Sequence, residues 1–223
     1  MPGSQKVTPK LDTKGLATRK PQQNRSVASL HRMFNATLEL LYERKSEDFT
    51  LQEVSIRGDV SIGSIYYRFK NKNDLVREVF VQSLSEVAKK EEETVIRLKN
   101  ECSSLNQYVP KYVAEYANIL RSNELLMRLS MNHASIDLQA SVAGNAQMKK
   151  AMEISVGGLL HFQSDITGNA SLKASIVFQI VFAALARHLS LDSADDSFFK
   201  QDWDDLIVEL GVMCLSYLKS DQV

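Results

Sequence analysis

Residues 50–75, TLQEVSIRGDVSIGSIYYRFKNKNDL, constrain this chain more than any other stretch. Thr50, with Glu53 three residues on, starts a capped helix in which hydroxyl and carboxylate satisfy each other's free backbone N–H groups. Val54, Ile56 and Val60 are the expected buried positions. Gly58-Asp59 supplies a break, because Asp tolerates the left-handed backbone of a sharp turn, though less readily than Gly. Ser61 is placed to cap a second helix in which Ile65 and Phe69, four residues apart, face inward. Ser64, Tyr66, Tyr67 and Arg68 are left for other faces. Asn71 caps a third, longer helix, with Asp74 at its third position. Lys72 sits in that helix's first turn, where a cation calls for an anion such as phosphate. Two short helices joined by a tight turn read as a helix-turn-helix. An outer face of hydroxyls, aromatics and a cation suits the phosphates and base edges of DNA.

At these residues the chain resembles a known family. Val54-Ser55, Gly63-Ser64, Ile65-Tyr66-Tyr67, Phe69 and Lys72-x-x-Leu75 match, in order and without gaps, the DNA-binding signature of the TetR family of bacterial transcriptional regulators. The resemblance covers about residues 25–75, and the remainder is similar in length and helical pattern. Asp59 stands where the family usually has Gly, and Ile62 where it often has Lys, Arg or Pro. The resemblance implies that Thr50, Tyr66, Tyr67 and Lys72 meet phosphates, with Arg68 adjacent. It implies that Gln52, Ile62, Gly63 and Ser64 face base edges, with Ser61 beside them at the helix start. Gln52 could pair with adenine, Ile62 could pack on a thymine methyl, and Gly63 would let the backbone approach. A single small domain makes few contacts, so specific binding implies a homodimer on a palindromic double-stranded DNA operator, with recognition helices about 34–36 Å apart or a multiple of that.

The expected fold is all-α: a three-helix DNA-binding domain followed by a helical ligand-binding and dimerisation domain. The expected divisions are a disordered basic arm over residues 1–24, the helix-turn-helix domain over 25–72 and the second domain over 73–223. The arm holds Lys6, Lys10, Lys14, Arg19 and Lys20 against Asp12. A helix over 25–43 carries Val27, Leu30, Phe34, Leu38 and Leu41 on one stripe. Another spans about 71–99, in which KKEEE at 89–93 reads as a solvated stretch. Formal net charge is zero, but residues 1–77 hold 14 Lys and Arg against 8 Asp and Glu, and residues 78–223 hold 13 against 19. A basic end bearing the helix-turn-helix and an acidic remainder fit a DNA-binding regulator.

Later helices are expected at about 105–120, from 123 past Met131, at 146–162 after a break at Gly144-Asn145, and near 172–189 and 203–218. Gly157-Gly158 implies a kink or close packing. The last two are apolar on more than one face, and the resemblance implies that they form a four-helix bundle with a second subunit. In the family the middle helices enclose an effector pocket. That makes Tyr108, Tyr112, Tyr116, Met127, Met131, His133, His161, Phe162 and Phe178 candidate effector contacts, for a small and mostly apolar molecule.

Other classes find little support. The histidines His31, His133, His161 and His188 show no metal-ligand spacing, and no Gly-rich phosphate loop or catalytic motif is present, so no metal, cofactor or enzyme activity is expected. Two cysteines, Cys102 and Cys214, and a polar opening without an apolar run fit a cytoplasmic protein. The 13-residue apolar run 174–186 is shorter than a membrane span. The six Asp of 192–205 read as a solvated loop in which Asp202 caps the following helix. The competing reading is a DNA-binding protein without an effector, structural or architectural in role.

Overall fold

The computed structural model describes residues 19–190 and 202–221. Among the described residues every regular element is helical. In order they are α1 (Arg19–Arg44), α2 (Leu51–Arg57), α3 (Ile62–Arg68), α4 (Lys72–Glu101), α5 (Leu105–Ser122), α6 (Glu124–Ile136), α7 (Leu138–Leu160), α8 (Ala170–Ser190) and α9 (Trp203–Lys219). A 3-10 turn, Gln163–Asp165, follows α7.

Two apolar cores divide the molecule. The first joins α1, α2, α3 and the start of α4 through Met33, Phe34, Leu40, Val54, Ile65 and Leu75. This core extends along α4 as far as Val87 and takes in Leu126 and Leu129 of α6. The second core lies among the end of α4, α5, α7, α8 and α9. Its centre is the α5 stripe Tyr108, Tyr112 and Tyr116, one tyrosine per turn, whose rings stack at 5.7 Å between successive centroids.

Local chemistry sets the helix ends. Asn71 accepts from the Asp74 N–H at 2.9 Å, and Asp202 accepts from the Asp204 N–H at 2.8 Å, as expected of caps. The fully buried Lys173, near the start of α8, donates to the carbonyl oxygens of Tyr217 at 2.9 Å and Ser220 at 2.5 Å. Its charge thus meets the carbonyl end of α9, where the helix dipole favours a cation.

Several expectations are corrected. Helix α1 begins at Arg19, so residues 19–24 are helical rather than part of an irregular arm; residues 1–18 lie outside the described region. Val27 is exposed, and the inward stripe of α1 runs instead through Met33, Phe34, Ala36, Thr37, Leu40 and Leu41. Ile56 is 72% exposed, because α2 buries Leu51 and Val54, three residues apart, and a residue two further on faces away. Gly144-Asn145 does not break the chain. Helix α7 starts earlier, at an Asp137 cap that accepts from the Ala140 N–H at 2.9 Å, and runs through the glycine. An interior glycine costs about 1 kcal/mol, which packing against α4, α6 and α8 can offset.

The KKEEE stretch is not wholly solvated: Glu91 is only 3% exposed. The apolar part of α8, Ala170–Leu189, is long and apolar enough to cross a membrane by length and composition, contrary to the short run read from sequence. Here it buries Ala174, Val177, Phe178, Val181 and Leu185 in the second core. The expected close packing at Gly157-Gly158 is real at one position. A Cβ on Gly158 would lie 2.0 Å from the Tyr108 hydroxyl and 2.9 Å from Val95 Cγ1, whereas Gly157 meets nothing.

Candidate DNA-binding face and ligand cavity

The capping box at the start of α2 forms as its sequence dictates. The Thr50 N–H donates to Glu53 Oε2 at 2.7 Å, and the Glu53 N–H donates to Thr50 Oγ1 at 3.2 Å. These bonds, with the Arg44 guanidinium beside Glu53, hold its carboxyl down at about 2. Between α2 and α3, Asp59 takes the left-handed conformation, φ 46°. The Ser55 hydroxyl donates to the Val60 carbonyl at 2.6 Å and closes the turn. Gly58 packs so tightly on α1 that an added Cβ would lie 3.0 Å from the Arg32 carbonyl oxygen.

Helix α3 then stands with Ile65 buried and its other side free. Tyr66 and Tyr67 are both exposed, Tyr67 by 89%. Gly63 is exposed, and a Cβ added there would meet nothing within 4 Å, so a phosphate or base edge could approach its backbone. Ile62 and Ser64 are half-buried, and Gln52 and Thr50 are exposed. Ser61 caps α3 by accepting from the Ser64 N–H at 3.1 Å, and its hydroxyl lies 2.8 Å from that of Ser64.

Two expected phosphate contacts are engaged inside the domain. Arg68 donates to the Ser26 hydroxyl at 2.8 Å and the Ser26 carbonyl at 3.1 Å, bracing α3 on α1. Lys72 donates to the carbonyl oxygens of Glu47 at 2.7 Å and Phe49 at 3.2 Å, and its ammonium lies 5.2 Å from the Phe49 ring centre. The anion that a cation at a helix N-terminus calls for is thus replaced by carbonyl dipoles of the preceding loop. The free face is Thr50, Gln52, Gly63, Tyr66 and Tyr67, with Ile62 half-buried at its edge.

A cavity of about 400 Å³ opens between α4, α5, α6, α7 and α8, walled largely by apolar side chains such as Phe80, Leu84, Val87, Leu120, Met148 and Phe182. Its volume lies within the usual range for a small-molecule site. Of the nine residues expected to contact an effector, Tyr116, Met127 and Met131 line it. Tyr108, Tyr112, Phe162 and Phe178 are packed into the second core instead, and His161 is exposed, its ring edge-on to Phe162. The buried His133 points the other way: its Nδ1 lies 2.9 Å from a Glu47 carboxylate oxygen, in the loop before α2, and its ring is 5.5 Å from that of Phe80. Arg77, at one end of the cavity, pairs with Asp74 at 2.6 Å and Asp137 at 3.4 Å.

Polar groups in the wall, Glu91 and Gln147, and behind it, Tyr112 and Ser155, were not foreseen. The Tyr112 hydroxyl donates to Ser155 Oγ at 2.5 Å, and Ser155 donates to Glu91 Oε1 at 2.5 Å. Burial outweighs the Ser155 hydrogen bond and pushes the Glu91 carboxyl up to about 7. Gln147 Oε1 is also buried and has no hydrogen-bond partner. Glu91 had a signal in the sequence: Val87, Glu91, Val95 and Leu98 fall on one helical stripe. Among the described residues no cluster of potential metal ligands occurs.

The family model for bacterial regulatory proteins of the tetR family matches residues 34–79, which span most of α1 through the start of α4. The N-terminal domain is that of the TetR family. No curated protein sequence matches the chain. Solved structures of TetR-family regulators share its fold over most of its length. One from Mesorhizobium loti has a TM-score of 0.72 at 16% identity, covering 87% of this chain and 96% of its own. FadR from Bacillus subtilis, in complex with stearoyl-CoA, gives 0.61 at 18% identity, covering 84% and 98%. The repressor AlkX from Dietzia, implicated in n-alkane biodegradation, gives 0.51 at 21% identity, covering 85% and 95%. The chain has the fold of TetR-family transcriptional regulators, with an N-terminal helix-turn-helix domain and a helical C-terminal domain.

Proposed function

We propose that this TetR-fold regulator is a dimeric repressor that leaves a palindromic operator when a small, mostly apolar molecule enters the cavity. The observation that carries the reading is the position of α6. Met127, Ser130 and Met131 line the cavity, while Leu126 and Leu129 of the same helix join the first core and His133 meets Glu47 in the loop before α2. An occupant that displaces α6 must therefore disturb the seat of the helix-turn-helix. By linkage it shifts the population away from the DNA-competent arrangement. A tenfold loss of DNA affinity requires only about 1.4 kcal/mol of differential binding.

A dimer is supported by apolar side chains left uncovered on the last two helices: Leu172 and Ile180 on α8, and Val208, Val212 and Met213 on α9. Exposed apolar faces of this kind mark association surfaces. An apolar effector agrees with the cavity wall, and with the stearoyl-CoA and n-alkane connections of the FadR and AlkX structures. The cavity also favours this reading over an effector-independent DNA-binding protein.

The test is selection of duplex DNA from a random library by the purified protein at a fixed salt concentration. Enrichment of an inverted repeat is expected. Salt-sensitive binding without an enriched motif would replace the repressor reading with an architectural one.

A further inference from the structure

The cavity's apolar wall is interrupted by two acceptors, Glu91 and Gln147, whose hydrogen-bonding capacity the protein does not fill. Glu91 is 3% exposed, forms no ion pair with Lys, Arg or His among the described residues, and receives a single hydrogen bond, from Ser155. The structure records no partner for its second carboxylate oxygen. Gln147 Oε1, also in the wall, is without a donor. Ser155, the donor to Glu91, and Gln147 are eight residues apart on α7, about 12 Å along the helix. The neighbouring titratable groups are Tyr108, Tyr112 and Tyr116 of α5, which burial holds in the neutral phenol form and which carry no positive charge in any form. From the other helix packed along this wall, Ser155 of α7 offers only a hydroxyl. Arg77 is 14 residues away along α4, about 21 Å, and is already paired with two carboxylates.

A carboxylate buried without a counter-charge is expensive, and a cavity that keeps one is arranged for whatever supplies the missing charge. Resting on the reading of the cavity as an effector site, we propose that its ligand is a cationic amphiphile: an apolar body carrying a protonated amine that ion-pairs with Glu91. The body lies against Leu84, Val87, Met127, Met148 and Phe182. An N–H donor along the body, or a second amine, would meet Gln147. Anionic head groups are disfavoured at the Glu91 end, which separates this cavity from one built for a free carboxylic acid.

The test uses the full-length protein with three probes of equal chain length, decylamine, decanol and decanoate, measured by calorimetry at about pH 8 for wild type and Glu91→Gln. Wild type is expected to bind decylamine at least tenfold more tightly than either other probe. Glu91→Gln is expected to abolish that preference while leaving decanol binding unchanged, and Glu91→Asp to retain part of it. Unchanged decanol affinity also shows that the variant still folds and keeps its cavity. Equal affinities for the three probes in wild type, an undiminished amine preference in Glu91→Gln, or no binding of any probe would each overturn the proposal. The reading of the cavity as an effector site fails separately: decylamine would bind, with its preference for Glu91 intact, yet leave the protein's complex with its selected operator unaltered.

Discussion

Replacing Glu91 by Gln should stabilise the protein, and by an amount that depends on pH in a defined direction. In the unfolded chain the carboxyl titrates near its ordinary value of 4.5, whereas burial raises it to about 7 in the folded state. Raising a carboxyl's folded value means that the folded state favours the protonated form. Folding is therefore unpenalised below the unfolded value and loses stability as pH climbs from about 4.5 towards 7, after which the loss is constant. The difference corresponds to about 3 kcal/mol, undiminished by solvent because the side chain is 3% exposed. Gln keeps the size and can still accept from Ser155, and it carries no charge to bury. In urea unfolding followed by circular dichroism, at one fixed protein concentration, the advantage of Glu91→Gln over wild type should grow by about 2–3 kcal/mol between about pH 5 and about pH 8.5. An advantage that stays flat across that range, or a variant less stable at the alkaline end, would refute the assignment of Glu91 as a buried, uncompensated carboxyl.

Further outcomes follow from single contacts. Gly158→Ala puts a Cβ 2.0 Å from the Tyr108 hydroxyl, and the resulting overpacking should cost about 1–3 kcal/mol by urea denaturation; an unchanged midpoint would mean that the α5–α7 contact yields freely. Tyr67→Ala, at an 89% exposed position, should leave stability within about 0.5 kcal/mol while weakening binding to the selected operator; undiminished binding removes Tyr67 from the interface. Val212→Glu should shift sedimentation towards the monomer with helix content intact, and a persistent dimer would place the interface elsewhere. His133→Ala removes the contact with Glu47, and should bring the ratio of operator affinities with and without ligand towards one while ligand binding persists; a full ratio would route the signal through α4 instead.

Legibility in the sequence followed how local each determinant is. The caps at Thr50, Ser61, Asn71 and Asp202, and the left-handed Asp59, depend on neighbours within a few residues, and each forms as its local pattern dictates. The tyrosine stripe of α5 was equally legible as a helical face, but its partner was not: periodicity says that Tyr108 and Tyr112 point inward, not whether a core or a cavity awaits them. Glu91 was obscured because a run of charges reads as solvated on average, while the stripe it shares with Val87 and Val95 fixes its individual direction. Lys72 looked free because its partners, the carbonyls of Glu47 and Phe49, are backbone atoms whose positions only the folded loop determines. The break expected at Gly144 failed because the helix is held from both sides by tertiary packing, which outweighs one glycine's propensity.

These contacts give α6 a role that its sequence alone does not announce. Met127, Ser130, Met131 and Ala134 face the cavity, and Leu126, Leu129 and His133 face the first core, so one 13-residue helix is the shared wall of both. Close-packed walls move as rigid bodies rather than deforming, so on the proposed function a ligand on one face and DNA on the other would act on a single coordinate. The Arg77–Asp137 pair fastens the end of α6 to α4, the helix that continues directly from the helix-turn-helix. A displacement of α6 therefore cannot be absorbed within the second domain alone. It must strain the seat of Glu47 and Phe80 around His133 or carry α4 with it, and in the proposed dimer either course would tilt α3 against the second subunit.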